Sequence, residues 1–216
     1  MIEVPNTMPV HLFAAIMVAA SATIYGFGYL HREISFARSF WKTLPALMMA
    51  GFAMYFRDSP LLAAAMLLCA LGDYFLSRAQ YRFIPGLIAF LAGHIVYIAL
   101  FGRLISGLTF DWTMALIILY SGIFAAYLWR AARQYRWPVL AYIAVITAMA
   151  GISFMLPSAY FLTVMGVIVF VFSDSVLAVR MFVVRDQRVK LILSWVVWVS
   201  YIAGQSLILI GVVGAT

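Results

Sequence analysis

The chain is short of charge. Only 10% of its 216 residues are Asp, Glu, Lys or Arg, against 67% hydrophobic, whereas a soluble domain is about a quarter charged and about half apolar. That shortage excludes a single core bounded by water. With a mean hydropathy of +1.07, the apolar residues need a bilayer as their solvent. Cysteine is nearly absent: Cys69 stands alone, which excludes an intramolecular disulfide and a cysteine metal cluster, and it reads as a small packing residue. Histidine is scarce too. His11 and His31 sit at opposite ends of the first apolar run, and of the three only His94 lies well inside one. Zinc hydrolysis takes about three protein ligands, usually His-rich, so neither a metal nor another cofactor is expected. A G-x-S-x-G elbow, a Walker loop and a dinucleotide fingerprint are all missing. So is the period-two alternation that membrane strands would show.

What the sequence does hold is eight apolar runs, at about 10–30, 42–56, 60–78, 83–102, 112–130, 138–156, 159–180 and 190–213. Crossing the hydrocarbon core takes about 20 helical residues, and only the second run falls clearly short. Pro9, Pro60, Pro138 and Pro157 stand at or near the boundaries, where a missing backbone donor is tolerated. The expected fold is all-α: a polytopic membrane helix bundle of about eight transmembrane helices, one domain over residues 1–216. "MIEVPNTMP" ahead of the first run has no Lys or Arg, so that run reads as a retained span rather than a signal peptide.

The basic residues are distributed unevenly. Loop one carries Arg32, Arg38 and Lys42, and loop three carries Arg78 and Arg82. Loop five carries Arg130, Arg133 and Arg136, and loop seven Arg180, Arg185, Arg188 and Lys190. Only Arg57 and Arg103 fall in even loops. The positive-inside rule then puts the odd loops in the cytoplasm and both termini outside a cell membrane. The net charge of +7 thus reads as a topology signal and an attraction for anionic lipid head groups, not as a nucleic-acid interface.

Among the seven acidic residues, Glu3, Glu33, Asp58, Asp111 and Asp186 fall in tails or loops. Asp73 and Asp174 do not. They lie within the third and seventh runs, in "LGDYFL" and "VFVFSDSVLAV", five residues before Arg78 and six before Arg180. The helix rise places both roughly 7–9 Å inside the same end of the bundle, where they can meet across its interior. Each opens a D-x-x-L step four helices apart, a hint of duplication. His94 lies near mid-membrane with Tyr97 on the same helical face, and Gly93 beside it permits close helix approach. Tyr201 and Gln205 share a face of the eighth run, Ser77, Ser173 and Ser175 flank the two Asp residues, and Lys42, Arg78 and Arg82 sit at the cytoplasmic mouth. A membrane Asp is by default a functional-site hypothesis, although a hydrogen bond or an ion pair with Arg78 or Lys42 would also lock helices together. Serines in such helices commonly bond back to the preceding turn. The Met residues and Trp41, Trp112, Trp129 and Trp137 read as packing and interface anchors.

"LGDYFL", "GLIAFLAGHIVYIALF", "VFVFSDSVLAV" and "YIAGQSLI", in that order, resemble the YhhN-like lysoplasmalogenase family of small multi-pass membrane proteins. "WKTLPALMM" resembles the family's lysine-containing opening, with Lys-Thr where Lys-Pro is expected. The resemblance implies hydrolysis of the vinyl-ether bond of a lysoplasmalogen, giving a fatty aldehyde and a glycerophospho-ethanolamine or -choline. It also implies functional roles for Asp73, His94, Tyr97, Ser173, Asp174, Tyr201 and Gln205. The expected partners are a lysophospholipid substrate and membrane lipids.

The chemistry suits the residues. A vinyl ether resists base but yields to acid: protonation at carbon gives an oxocarbenium ion, which water captures. Glycosidases handle a related cation with two carboxylates in unlike environments, and two neighbouring carboxyls in a low-dielectric cavity do not readily ionise together. Asp73 and Asp174 are therefore expected to act as one acid and one carboxylate. His94 would orient water or relay a proton, Tyr97, Tyr201 and Gln205 would line the cavity, and Lys42, Arg78 or Arg82 would hold the phosphate. Two other readings stay open at this point. One is a proton-coupled transporter of a lipid or small solute using Asp73, His94 and Asp174 as its relay; the other is a structural or lipid-binding protein whose acids only lock the bundle.

Overall fold

The computed structural model describes residues 8–57, 59–105, 107 and 112–215. Glu3, Asp58 and Asp111 lie outside them. The described chain is eight helices and two short 3₁₀ turns, and it holds no strand: α1 (Met8–Tyr29), α2 (Phe36–Arg57), α3 (Pro60–Leu76), α4 (Ala79–Leu104), α5 (Trp112–Ala131), α6 (Arg136–Ser153), α7 (Phe161–Phe182) and α8 (Gln187–Ala215). Six of these are long and apolar enough to cross a membrane. The other two are α3, with 17 residues, and α2, which carries Arg38, Lys42 and Arg57. Large apolar side chains such as Leu12, Phe13, Ile118, Ile123, Phe172 and Ile192 face outward, the distribution expected where hydrocarbon is the solvent. The all-α membrane bundle expected from the runs is what the chain forms.

Local chemistry explains most helix boundaries. Pro60 opens α3 at a position whose N–H would have no partner anyway. Pro85 lies inside α4, and Arg82, three residues earlier, leaves helical geometry at φ −133° and ψ 28°. Proline cannot supply the backbone donor and its ring crowds the preceding turn, so the straight part of α4 begins close to the expected residue 83. The second helix departs most from expectation. It starts at Phe36, not near 42, because Ser35 caps it: its hydroxyl accepts the Arg38 backbone N–H at 3.2 Å. Arg38 and Lys42 therefore lie on a helix rather than in loop one.

Successive helices alternate in direction, so the basic residues of the odd connections gather at one end of the bundle. The packing order is a ring, α2–α3–α4–α6–α7–α8 and back to α2, with α1 outside against α2 and α8 and α5 outside against α6 and α7. Taking α2, α3 and α4 onto α6, α7 and α8 turns the ring onto itself. The duplication hinted at by the two D-x-x-L steps thus has a counterpart in the packing. The axis implied runs along the helices, since α3 and α7 point the same way. The tightest seam is α7 against α8. A Cβ on Gly166 would fall 2.7 Å from both the Gly204 carbonyl oxygen and the Ile208 nitrogen, so only glycine lets those backbones come so close.

Candidate active site

α3 and α7 face each other across the ring, and their two aspartates come to the same place. Both line one cavity of about 290 Å³ that opens at the basic end. Each is gripped by the helix that precedes it. Lys42, from α2, forms an ion pair with Asp73 Oδ1 at 3.2 Å. Tyr142, from α6, donates its hydroxyl proton to Asp174 Oδ2 at 2.5 Å. The two acids are thus equivalent in position and unlike in company, one beside a cation and the other beside a phenol.

His94 completes the Asp174 side. Its Nδ1 lies 2.6 Å from the Phe90 carbonyl oxygen, which can only accept, so Nδ1 carries a proton and, in the neutral ring, Nε2 keeps a lone pair. That Nε2 faces Asp174 Oδ2 at 3.8 Å, too far for a direct hydrogen bond. It is buried without a protein partner, as are Asp73 Oδ2 and the Tyr201 hydroxyl. A buried polar atom left unpaired is expensive. Asp73 Oδ2 and the Tyr201 hydroxyl lie on the cavity wall, where they mark a place for water or a polar substrate group, whereas His94 is not part of that wall and reaches the site only through Asp174. The ring itself is fixed edge-on against Tyr142 and Phe170, with centroids 5.2 and 5.0 Å away.

The remaining expected residues divide into two groups. Ser173 and Tyr201 line the cavity; Ser173 also donates to the Val197 carbonyl at 3.0 Å, tying α7 to α8. Tyr97 and Gln205 are fully buried and bonded to each other at 2.5 Å, and neither lines the cavity that holds the two aspartates. They clamp α4 to α8 deeper in the bundle. Arg78 and Arg82 are absent from the cavity wall as well. Their guanidinium groups lie over Tyr74 and Phe75, at 5.0 and 5.9 Å from the ring centroids. Lys42 lines the cavity but is committed to Asp73.

Basic groups that the sequence places among the loop charges occupy the mouth instead. Arg38 and Arg180 both line it, with Arg32 and Glu33 also in the wall. Arg38 donates from one terminal nitrogen to the Ser77 carbonyl at 2.7 Å, and its Nε is buried without a partner. Arg180 Nε is braced by the Ser194 hydroxyl at 2.7 Å. Tyr142 is a further member of the site that sequence reasoning misses. Its only signal in the sequence is register, because it precedes Asp174 by almost the same interval at which Lys42 precedes Asp73.

The model of the YhhN family matches residues 37–212 of the chain. That stretch includes both aspartates and each of the residues gripping them. No curated protein and no solved structure matches the chain.

Proposed function

The chain belongs to the YhhN family, and from that premise we propose that it is a membrane lysoplasmalogenase, which cleaves a vinyl ether by acid chemistry at Asp174 and Asp73. The observation that carries the reading is the unequal pair: two carboxylates of one buried cavity, one beside Lys42 and the other beside Tyr142. An oxocarbenium route needs one carboxyl to give a proton and one to stay charged beside the cation. The ammonium of Lys42 favours the charged form of Asp73, which suits it to the second task. Asp174, with no cation within bonding distance and a neutral His94 opposite, suits the first.

In this scheme Asp174 delivers its proton to the alkene carbon distal to the ether oxygen. The double bond is consumed and the positive charge spreads over the other carbon and the oxygen, facing Asp73. Water held by His94 Nε2 attacks that carbon, and its proton returns by way of His94 to Asp174. The resulting hemiacetal collapses, its carbon–oxygen bond breaking to leave an aldehyde on the chain and a hydroxyl on glycerol. One water is consumed and the acid is regenerated. Arg38 and Arg180 at the mouth suit the phosphate of the head group, because a guanidinium presents several donors to phosphate oxygens. Glu33 on the same wall gives the mouth a charge of the opposite sign, which suits the amine of a zwitterionic head group.

The test uses purified protein in detergent with a lysoplasmalogen and an ester lysolipid side by side, measuring free aldehyde and free fatty acid. Aldehyde release is expected from the first and no fatty acid from the second. Asp73→Asn and Asp174→Asn should each abolish release while the protein remains folded. Turnover near that of the parent in either variant would overturn the paired-acid scheme.

A further inference from the structure

A second cavity touches Asp174 from the opposite side. It is narrow, about 70 Å³, and lies between α4, α5, α6 and α7. Its wall includes Leu87, Phe90, Phe124, Ile143, Ile146 and Leu177. The polar groups in that wall are already engaged. Tyr120 donates to Ser175 at 2.8 Å, Ser121 accepts from Thr147 at 2.7 Å, and Tyr142 donates to Asp174. What remains for an occupant is hydrocarbon. One water-sized space needs about 10–15 Å³ on this measure, so a groove of about 70 Å³ admits roughly five such groups, a short length of one chain.

The groove meets the charged cavity where the reactive carboxyl lies, since Leu76, Phe90, Asp174, Leu177 and Met181 belong to both walls. It exists because the ring departs from its own symmetry. α2 and α3 pack closely, whereas their counterparts α6 and α7 touch far less. α5 bridges that seam from outside, and Tyr120 at its edge is 44% exposed, so the opening faces the bilayer. A route from lipid, lined with apolar groups and ending on a carboxyl, fits an alkyl chain that never leaves the membrane.

We propose that this groove between α5 and α7 is the hydrocarbon subsite of the active site, loaded sideways from the bilayer with the chain of a single-chain phospholipid whose head group enters from the basic end. This rests on the function proposed above and adds where the chain lies and how it arrives.

The probe is a lysophospholipid with a saturated alkyl-ether chain bearing a mid-chain diazirine, which binds without being cleaved. After irradiation in diacyl-phospholipid nanodiscs, label is expected within residues 120–128 and 171–182. A tenfold excess of unlabelled lysophospholipid should remove most of it, and extra diacyl phospholipid should not. Ala178→Phe narrows the groove and should lower the competed label at least tenfold; Ala178→Val, a gentler change, should lower it by a smaller factor. Label confined to other lipid-facing helices, label that lysophospholipid does not displace, or label indifferent to both substitutions would overturn the proposal. Competed labelling here by a protein that releases no aldehyde from a vinyl ether would instead refute the proposed reaction and leave the subsite standing.

Discussion

Replacing Lys42 by Met should destabilise the bundle severely, and most of the loss should vanish when Asp73 is replaced as well. The side chain of Asp73 is 4% exposed and that of Lys42 17%, with 3.2 Å between the charges, so solvent screens the pair little. At an effective dielectric of about 20, two charges at that separation attract by roughly 5 kcal/mol. The abandoned carboxylate has a second course, which is to take up a proton. For an ordinary carboxyl at pH 7 that costs roughly 4 kcal/mol, which sets a ceiling on the penalty. The expected loss is therefore about 3–4 kcal/mol, in the range found when a buried ion pair loses one partner. Methionine keeps most of the lysine's length, so packing contributes little to the difference. The measurement is unfolding in mixed micelles titrated with SDS, followed by tryptophan fluorescence, for Lys42→Met, Asp73→Asn and the double variant. A coupling of at least about 2 kcal/mol between the sites is expected from such a cycle. If Lys42→Met matches the parent, or if the two losses simply add, the pair does not do what is claimed for it. The same variant bears on chemistry: with Asp73 no longer held ionised, aldehyde release should fall in kcat rather than rise in KM.

Three further outcomes are expected. Tyr142→Phe removes the hydrogen bond to Asp174, which should cost about 1–2 kcal/mol of stability and lower aldehyde release about tenfold or more with KM nearly unchanged; full activity would refute a positioning role. Gly166→Ala puts a Cβ against the α8 backbone and should destabilise by about 1–3 kcal/mol, while Gly122→Ala, which meets nothing within 4 Å on α5, should be neutral or gain up to about 1 kcal/mol; thermal melts in detergent compare the two. Arg38→Gln and Arg180→Gln, both at the cavity mouth, should each raise KM for a lysophospholipid several-fold with kcat preserved, and should leave inhibition by a phosphate-free alkyl glycerol ether unaltered.

The sequence revealed the helices because length and apolarity are local properties, and it revealed Asp73 and Asp174 because a carboxylate in an apolar run is conspicuous by itself. Loop charges and helix rise also put the two toward the same end of the bundle, and the structure has both lining one cavity. What it leaves unseen depends on partners. Lys42 resembled a loop charge because the polar turns of α2 dilute its hydropathy, although Ser35 ahead of them is an ordinary N-cap and was legible. Arg78 and Arg82 are placed at the mouth by the loop charges, yet a turn of helix decides which way a guanidinium points, and it is Arg38 and Arg180 that line the cavity. Tyr142 resembles any other membrane tyrosine until α6 is laid beside α7. Tyr97 and Gln205 share their helical faces with residues of the site, but a face extends over several turns, and theirs meet below the cavity floor.

Asp73 and Asp174 stand near one end of the bundle, with a charged cavity and an apolar groove both bordering Asp174, and under the proposed reaction this asymmetry governs the fate of the products. The two fragments have opposite solubilities and leave by opposite doors, the glycerophosphodiester into the aqueous phase and the aldehyde into the surrounding leaflet. Their separation hinders recombination, so turnover gains a direction from geography alone. Under the same proposal the protein would be one-sided, drawing on lipids of the leaflet at its basic face and not on those opposite until something else carries them across.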